Sequence, residues 1–107
     1  MAVYKLARFA VREDAQSVAE RAMHDFASYV RNNLPGYQWT TYRETGGPAR
    51  YVALIRVGDP AEDGVASKAF DKALGPHLDG PPELTEWELV TSSDLAPRPK
   101  SLRRSSR

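Results

Sequence analysis

The sequence predicts an α+β domain in which two helices cover one face of an antiparallel sheet. Its elements follow one another as strand, long helix, strand, strand, short helix and strand within residues 3–91. That order describes a split pair of β-α-β units, the ferredoxin-like arrangement. Because such a sheet is covered on one face only, we expect a second copy of the chain on the other face.

The predicted strands are runs of β-branched and aromatic residues bounded by turn residues. They cover residues 3–11, 37–44, 50–58 and 83–91. The second and third strands form a hairpin across a glycine-rich turn at 45–49. Both faces of the first strand carry apolar residues, which indicates that both faces are covered.

The long helix is predicted to begin near Asp14 as its N-cap and to end at Leu34-Pro35-Gly36. Proline disfavours a helical residue before it, and glycine tolerates the backbone that follows a helix end. Apolar residues recur along this segment at helical spacing and predict its buried stripe. That stripe comprises Ala15, Val18, Ala22, Phe26, Tyr29 and Val30.

The short helix is predicted to open at residues 59–63, where acidic side chains favour the positive end of the helix dipole. Gly75-Pro76 ends it. A turn at residues 77–80 and the stiff Pro81-Pro82 then lead into the last strand. The predicted buried stripe of this helix comprises Val65, Ala66, Ala69, Phe70, Ala73 and Leu74.

Length and charge bound the organisation of the chain. At 107 residues it forms one domain, predicted over residues 1–94, followed by a basic tail at 95–107. The tail contains five basic residues, no acid and no apolar period, so we expect it to be disordered. The remainder carries a net charge of −4, which argues against binding of nucleic acid by the folded part.

The composition also excludes several classes of site and location. The chain has no cysteine, so disulfides and thiolate metal sites are excluded. Its two histidines have no ligand spacing, and no glycine-rich phosphate loop joins a strand to a helix. No segment has the length of a signal peptide or a membrane span, so we expect a cytoplasmic protein without a membrane partner.

Three segments carry a resemblance to a known family. They are ARFAVRED at residues 7–14, YVRNNLPGYQWTTYRE at 29–44 and ASKAFDKALGPHLDGP at 66–81. Together they resemble the antibiotic biosynthesis monooxygenase family of dimeric α+β barrels. The resemblance covers roughly residues 3–91 and implies a homodimer with its sheets face to face.

The resemblance also implies a small-molecule pocket between sheet and helices. Some members oxidise quinols or aromatic polyketides without metal or flavin, so no cofactor is expected. The haem-degrading branch has histidine and tryptophan where this chain has Leu74 and Gly64, so haem degradation is not expected. Many quinol-oxidising members carry a histidine near the start of the second helix, whereas residues 62–65 here contain none.

Five residues are candidates for a site that binds a small aromatic molecule. His77 lies just past the second helix, where an imidazole can act as a base near neutral pH. Asn33 and Arg56 are candidates for contacts to substrate oxygen. Trp39 and Tyr42 point to opposite faces of one strand, so only one of them can stack on a flat substrate in a given pocket.

Each of these residues also has a structural interpretation. His77 lies in a turn that could simply be surface, and Asn33 could bond the last helix carbonyls. Arg8 and Arg56 share strand faces with apolar residues, so each is expected to need a carbonyl or anionic partner. That partner is either substrate or a glutamate of a structural ion pair, namely Glu44, Glu86 or Glu88. His24 is expected to face solvent, and Trp87 to lie in an interface or the core.

Two functions from different classes are compatible with these features. The first is a cofactor-independent monooxygenase acting on a quinol or an aromatic polyketide-type molecule. The alternative is a non-catalytic dimeric module that binds a small molecule, or a cyclase or isomerase that uses the same pocket. Oxygen uptake separates the first from the others.

Overall fold

The computed structural model describes residues 2–47 and 49–94 and confirms the predicted order of elements. The predicted disordered tail at 95–107 lies outside the described residues. The strands are β1 (Val3–Ala10), β2 (Tyr37–Arg43), β3 (Arg50–Val57) and β4 (Glu83–Trp87). The helices are α1 (Gln16–Asn33) and α2 (Pro60–Leu74), with single 3₁₀ turns at Glu13–Ala15 and Gly75–His77.

The four strands form one antiparallel sheet in the order β2-β3-β1-β4. The crossover through α1 passes over β3, and the crossover through α2 passes over β1, which is the ferredoxin-like topology. In the register, Ala7 of β1 lies opposite Ala53 of β3 and Leu84 of β4. The predicted hairpin of β2 and β3 is confirmed.

The core lies between the two helices and one face of the sheet, which we call the helix face. Every second strand residue points into it, as the alternation of Phe9 and Ala7 on β1 shows. Its centre is aromatic. The ring of Phe26 lies 4.9 Å from that of Trp39 and 5.7 Å from that of Phe70, in edge-to-face contact.

The buried stripe of α1 differs from the prediction. Ala19 and Met23 are buried beside Phe26 and Val30, whereas Val18 is 55% exposed. Residues 18, 22 and 29 are also apolar and lie one step around the helix, so periodicity alone cannot separate the two stripes. The stripe that packs on the sheet is the one that contains Ala19, because this small side chain permits close approach of α1 to the sheet.

The structure contradicts the predicted N-cap of α1 and agrees with the predicted start of α2. Asp14 is not the N-cap of α1, because a 3₁₀ turn precedes the helix and Ala15 occupies the cap without a side-chain hydrogen bond. The predicted start of α2 within residues 59–63 is confirmed. Asp59 is its N-cap, and its carboxylate accepts a hydrogen bond from the backbone N–H of Ala61 at 3.0 Å.

The last strand is shorter than predicted and ends at Trp87 rather than Thr91. Within residues 2–47 and 49–94 its only neighbour is β1, and Trp87 already pairs with Tyr4, next to the first residue of β1. Residues 89–91 therefore have almost no backbone left to pair with. On α2, Val65 is likewise not part of the buried stripe, because it is 45% exposed.

The second face of the sheet carries no helix, and we call it the open face. Its central row runs across the sheet through Thr85, Leu6, Leu54 and Thr40. Leu54 is 45% exposed there. Arg8 and Arg56, which were expected to need a carbonyl or anionic partner, are both exposed on this face. Neither forms an ion pair among the described residues.

Candidate functional site

A cleft of about 210 Å³ lies between the helix face and α2, and we call it the α2 cleft. Its floor is formed by Ala7 and Ile55 from the two central strands. Pro82 and Leu84, on the segment that enters β4, form its outer wall. Leu84 is 57% exposed, so the cleft opens to solvent on the β4 side.

Two aromatic side chains form the inner wall of the α2 cleft. Trp39 reaches it from β2 and Phe70 from α2, with ring centroids 6.4 Å apart. Phe26 packs edge-to-face against both rings from the α1 side and fixes their orientation. Flat aromatic surfaces of this kind favour a flat, apolar ligand.

Tyr37 from β2 also lines the α2 cleft. Burial and then the nearby Asp63 carboxylate raise the pKa of Tyr37 to about 12. Its phenol is therefore neutral near pH 7 and available as a hydrogen-bond donor. Asp63 is itself paired, since its Oδ2 atom lies 2.7 Å from Nζ of Lys5.

The start of α2 is anchored to the start of β2 beside Tyr37. Oε1 of Glu62 accepts a hydrogen bond from the backbone N–H of Gly36 at 2.6 Å. The N–H of Gly58 donates to the carbonyl of Gly36, also at 2.6 Å. A Cβ atom at Gly36 would lie 3.0 Å from Cβ of Asp59, so a side chain here would need Asp59 to shift by a few tenths of an ångström.

The rim of the α2 cleft carries the polar side chains Ser67 and Asp71. They are one helical turn apart on α2, so both face the cleft. Asp71 is the only charged residue among those that line it in the described part of the chain. The arrangement thus combines aromatic walls, a neutral phenol, a hydroxyl and one carboxylate.

A second polar cluster fixes α1 to the far end of the helix face. Oε2 of Glu20 accepts hydrogen bonds from the hydroxyl of Tyr51 at 2.6 Å and from Nη1 of Arg43 at 2.7 Å. The hydrogen bond from Tyr51 lowers the pKa of Glu20. Burial and the bond to Glu20 raise the pKa of Tyr51. The role of the cluster is therefore structural, because these hydrogen bonds hold α1 against β2 and β3.

The residues predicted from sequence do not converge on one place. Trp39 lines the α2 cleft, whereas Tyr42 and Arg56 lie on the open face. The side-chain amide of Asn33 donates to the carbonyl of Tyr29 at 3.0 Å, within α1. Trp39 and Tyr42 thus lie on opposite faces, as predicted.

His77 lies in the 3₁₀ turn after α2 and is partly buried. Its carbonyl accepts the backbone N–H of Arg12 at 3.0 Å, and it is not among the residues that line the α2 cleft. His24 is exposed on α1, as predicted, and Trp87 lies on the open face.

Sequence reasoning missed Tyr37, Ser67 and Asp71. Two signals could have found them. Tyr37 shares the strand face of Trp39, two residues away, and Ser67 and Asp71 stand four apart, flanking Phe70 on α2. Polar residues that flank a predicted apolar stripe are therefore candidates for the rim of a cleft, and this criterion would have identified Ser67 and Asp71.

Two classes of site are not found in the described residues. Within 2–47 and 49–94, no group of three or more metal-ligating side chains lies together. No helix in the same ranges is long and apolar enough to cross a membrane.

Comparison with solved structures supports the resemblance inferred from the sequence. A Caulobacter crescentus protein, provisionally named an antibiotic biosynthesis monooxygenase, has 21% sequence identity and a TM-score of 0.73. The match covers 84% of this chain and 91% of that one. The chain therefore has the fold of structures assigned to the antibiotic biosynthesis monooxygenase family.

Two further structures show the same likeness. SnoaB of Streptomyces nogalater, named a cofactor-independent oxygenase, has 19% identity and a TM-score of 0.70 over 86% of this chain and 96% of its own. Rv0793 of Mycobacterium tuberculosis has 18% identity and a TM-score of 0.70 over 87% and 99%. No protein-family model and no curated protein matches the sequence significantly. At these identities the likeness establishes the fold, and the activity must be argued from the site.

Proposed function

We propose that this protein is a cofactor-independent oxygenase that acts on a small hydroxylated aromatic molecule, of quinol or aromatic polyketide type, in the α2 cleft. The observation that carries the proposal is the juxtaposition in one cleft of aromatic walls, a neutral phenol and a carboxylate. The name of SnoaB, which shares the fold, supports the same reaction class.

The chemistry begins with removal of a proton from the substrate. The Asp71 carboxylate accepts the proton of a ring hydroxyl, and the Tyr37 hydroxyl donates a hydrogen bond to the oxygen that becomes negative. The electron-rich ring carbon then reduces O₂ and bonds to it, which gives a hydroperoxide after protonation. That carbon must carry a hydrogen atom: its C–H bond and the O–O bond then break, water leaves and a carbonyl remains, so one oxygen atom enters the product and the other enters water.

His77 is a second candidate for the proton acceptor, on the sequence argument alone. Asp71 is favoured because it lines the α2 cleft and His77 does not. Arg56 and Tyr42 could contact a ligand only from the open face, so in this proposal they serve the dimer instead. Asn33 is a candidate only if its bond to the Tyr29 carbonyl is exchanged for a ligand.

We further propose that the protein is a homodimer that associates through the open face. Leu54, Tyr42 and Trp87 are between 45% and 54% exposed there. Aromatic residues and arginine around an apolar centre are typical of the buried part of interfaces. Pairing two such faces would remove these side chains from water.

Oxygen uptake with a panel of quinols and anthrone-like phenols tests the proposed activity. Asp71→Asn should lower turnover by about 10²-fold, the usual size of a general-base effect. His77→Ala serves as the competing variant, and Asp25→Asn, exposed on α1, is the matched control. Loss of turnover in His77→Ala with full activity in Asp71→Asn would reverse the assignment of the base.

A non-catalytic binding module, or an isomerase or cyclase, is the alternative. The segment Glu62–Val65, which has no histidine, favours it. A folded protein that binds these phenols in the α2 cleft without consuming oxygen would establish this alternative.

A further inference from the structure

We propose that the α2 cleft selects uncharged hydroxylated aromatic ligands over otherwise identical anionic ones, and that Asp71 sets this preference. This inference deepens the proposed function, since it names the charge class of the substrate for the same cleft. It rests on the distribution of charge around the lining, which does not depend on catalysis.

Among the described residues, the lining offers no positive group to an anionic ligand. Asp71 is the single charged residue of that described lining, and Tyr37 is neutral near pH 7. The lysine of the sheet, Lys5, is already paired with Asp63 at 2.7 Å, and both side chains are mostly buried. A ligand carboxylate that enters the cleft therefore gains no ion pair from the floor or from Tyr37.

The lysines of α2 do not change this balance. Lys68 and Lys72 are exposed and line no part of the α2 cleft. Among the described residues, neither lies within ion-pair distance of Asp71. The negative charge at the rim is therefore uncompensated by a direct partner.

The chemistry of the polar groups points the same way. A carboxylate such as Asp71 only accepts hydrogen bonds, so it favours a ligand hydroxyl and repels a ligand carboxylate. Ser67 can donate or accept beside it, and Trp39 and Phe70 contact the ring irrespective of charge. Repulsion between two charges near an exposed rim weakens binding roughly fivefold, since the Coulomb term is small in water.

Calorimetric titration under argon with a matched pair of ligands tests the proposal. The pair is a hydroxynaphthoate and its neutral carboxamide, which have nearly the same shape and differ in charge. The carboxamide should bind about fivefold more tightly to the wild type. The ratio should fall to about one in Asp71→Asn and reverse in Asp71→Lys, whereas Asp25→Asn should keep the wild-type ratio.

Each outcome of this titration bears on the proposal. Equal affinities in the wild type, tighter binding of the carboxylate, or failure of both ligands to bind would overturn it. So would a preference that persists in Asp71→Asn. The oxygen-uptake assay, run separately in air, distinguishes the two proposals: oxygen consumption with equal affinities would refute the selectivity alone, and selective binding without oxygen consumption would refute only the proposed activity.

Discussion

The two faces of the sheet are built from alternate residues of the same strands, yet they differ in how far their side chains are buried. On the helix face, Phe9 and Ala53 are at most 5% exposed, and aromatic rings interlock above them. On the open face, the neighbouring Leu54 and Tyr42 remain about half exposed. The comparison teaches that one face is covered by the chain's own helices, whereas the other keeps apolar side chains exposed in the single chain.

The two faces also differ in the surface that they present. On the helix face, the α2 cleft lies between α2, the two central strands and the segment that enters β4. The open face presents three rows of side chains across four strands, with Leu6 and Leu54 at their centre. A broad face with an apolar centre suits another protein surface, and a narrow aromatic cleft suits a small molecule.

The largest expected effect is on the helix face. Phe26→Ala should lower the free energy of unfolding by about 3–5 kcal/mol, because it leaves a cavity between Trp39 and Phe70. Tyr29→Ala, on the outer side of α1, should cost less than about 1 kcal/mol. Urea denaturation of both variants measures this. Similar losses in the two would mean that the aromatic cluster is not the centre of the core.

The next largest effect concerns association through the open face. Leu54→Asp should raise the dimer dissociation constant by about 30-fold or more, because it places a charge at the centre of the proposed interface. Val18→Asp is the matched control, since Val18 is exposed but lies on α1. Sedimentation velocity over a dilution series distinguishes them. A wild type that sediments as a monomer at micromolar concentration would remove the dimer proposal.

A smaller effect concerns the anchor of α1 at low pH. The fold lowers the pKa of Glu20 below its ordinary value of 4.5, so the unfolded state binds the proton more readily. Its contribution to stability is therefore present above pH 4.5 and is lost as the pH falls through the folded value. Glu20→Gln should cost about 1 kcal/mol at pH 7 and flatten this acid dependence.

Denaturation curves between pH 3 and pH 7, roughly the range over which carboxyl groups titrate, measure this dependence. Exposed Glu88 supplies the control variant, Glu88→Gln. An unchanged acid dependence in Glu20→Gln would show that Tyr51 and Arg43 do not stabilise the ionised carboxylate.

The smallest effect is spectroscopic and concerns the cleft itself. The pKa of Tyr37 is raised to about 12, so its phenol should ionise after exposed tyrosines, which do so near pH 10. Its stabilising effect is present below pH 10 and is lost as the pH rises towards 12. Ultraviolet titration should show this late step and its loss in Tyr37→Phe. A late step that persists in that variant would assign it to another tyrosine.

The sequence predicted those parts of the molecule that depend on local periodicity. Alternation in β2 placed Trp39 and Tyr42 on opposite faces, and Asp59-Pro60 marked the start of α2. The stripe of α1 could not be chosen, because residues on both sides of it are apolar. The end of β4 depends on where its partner β1 begins, and this pairing is a feature of the tertiary structure that local sequence does not specify.

The candidate site was predicted only in part, for a related reason. Trp39 was identified because an aromatic residue on a strand face is a local signal. Asp71 was missed, because a single acid on a helix is usually a solvated residue and only the neighbouring strand makes it a cleft residue. Conversely, His77 stood out by residue type, while its backbone position keeps it off the cleft lining.

The two tryptophans provide the most direct test, because the chain carries one on each face. Their indole N–H signals in a two-dimensional NMR spectrum can be assigned with Trp39→Phe and Trp87→Phe. Titration with a neutral hydroxynaphthalene carboxamide should shift the signal of Trp39 and leave that of Trp87 in place. Dilution below the dimer dissociation constant should instead shift the signal of Trp87 and leave that of Trp39 in place. A ligand that shifts only Trp87 would contradict the assignment of the α2 cleft as the binding site.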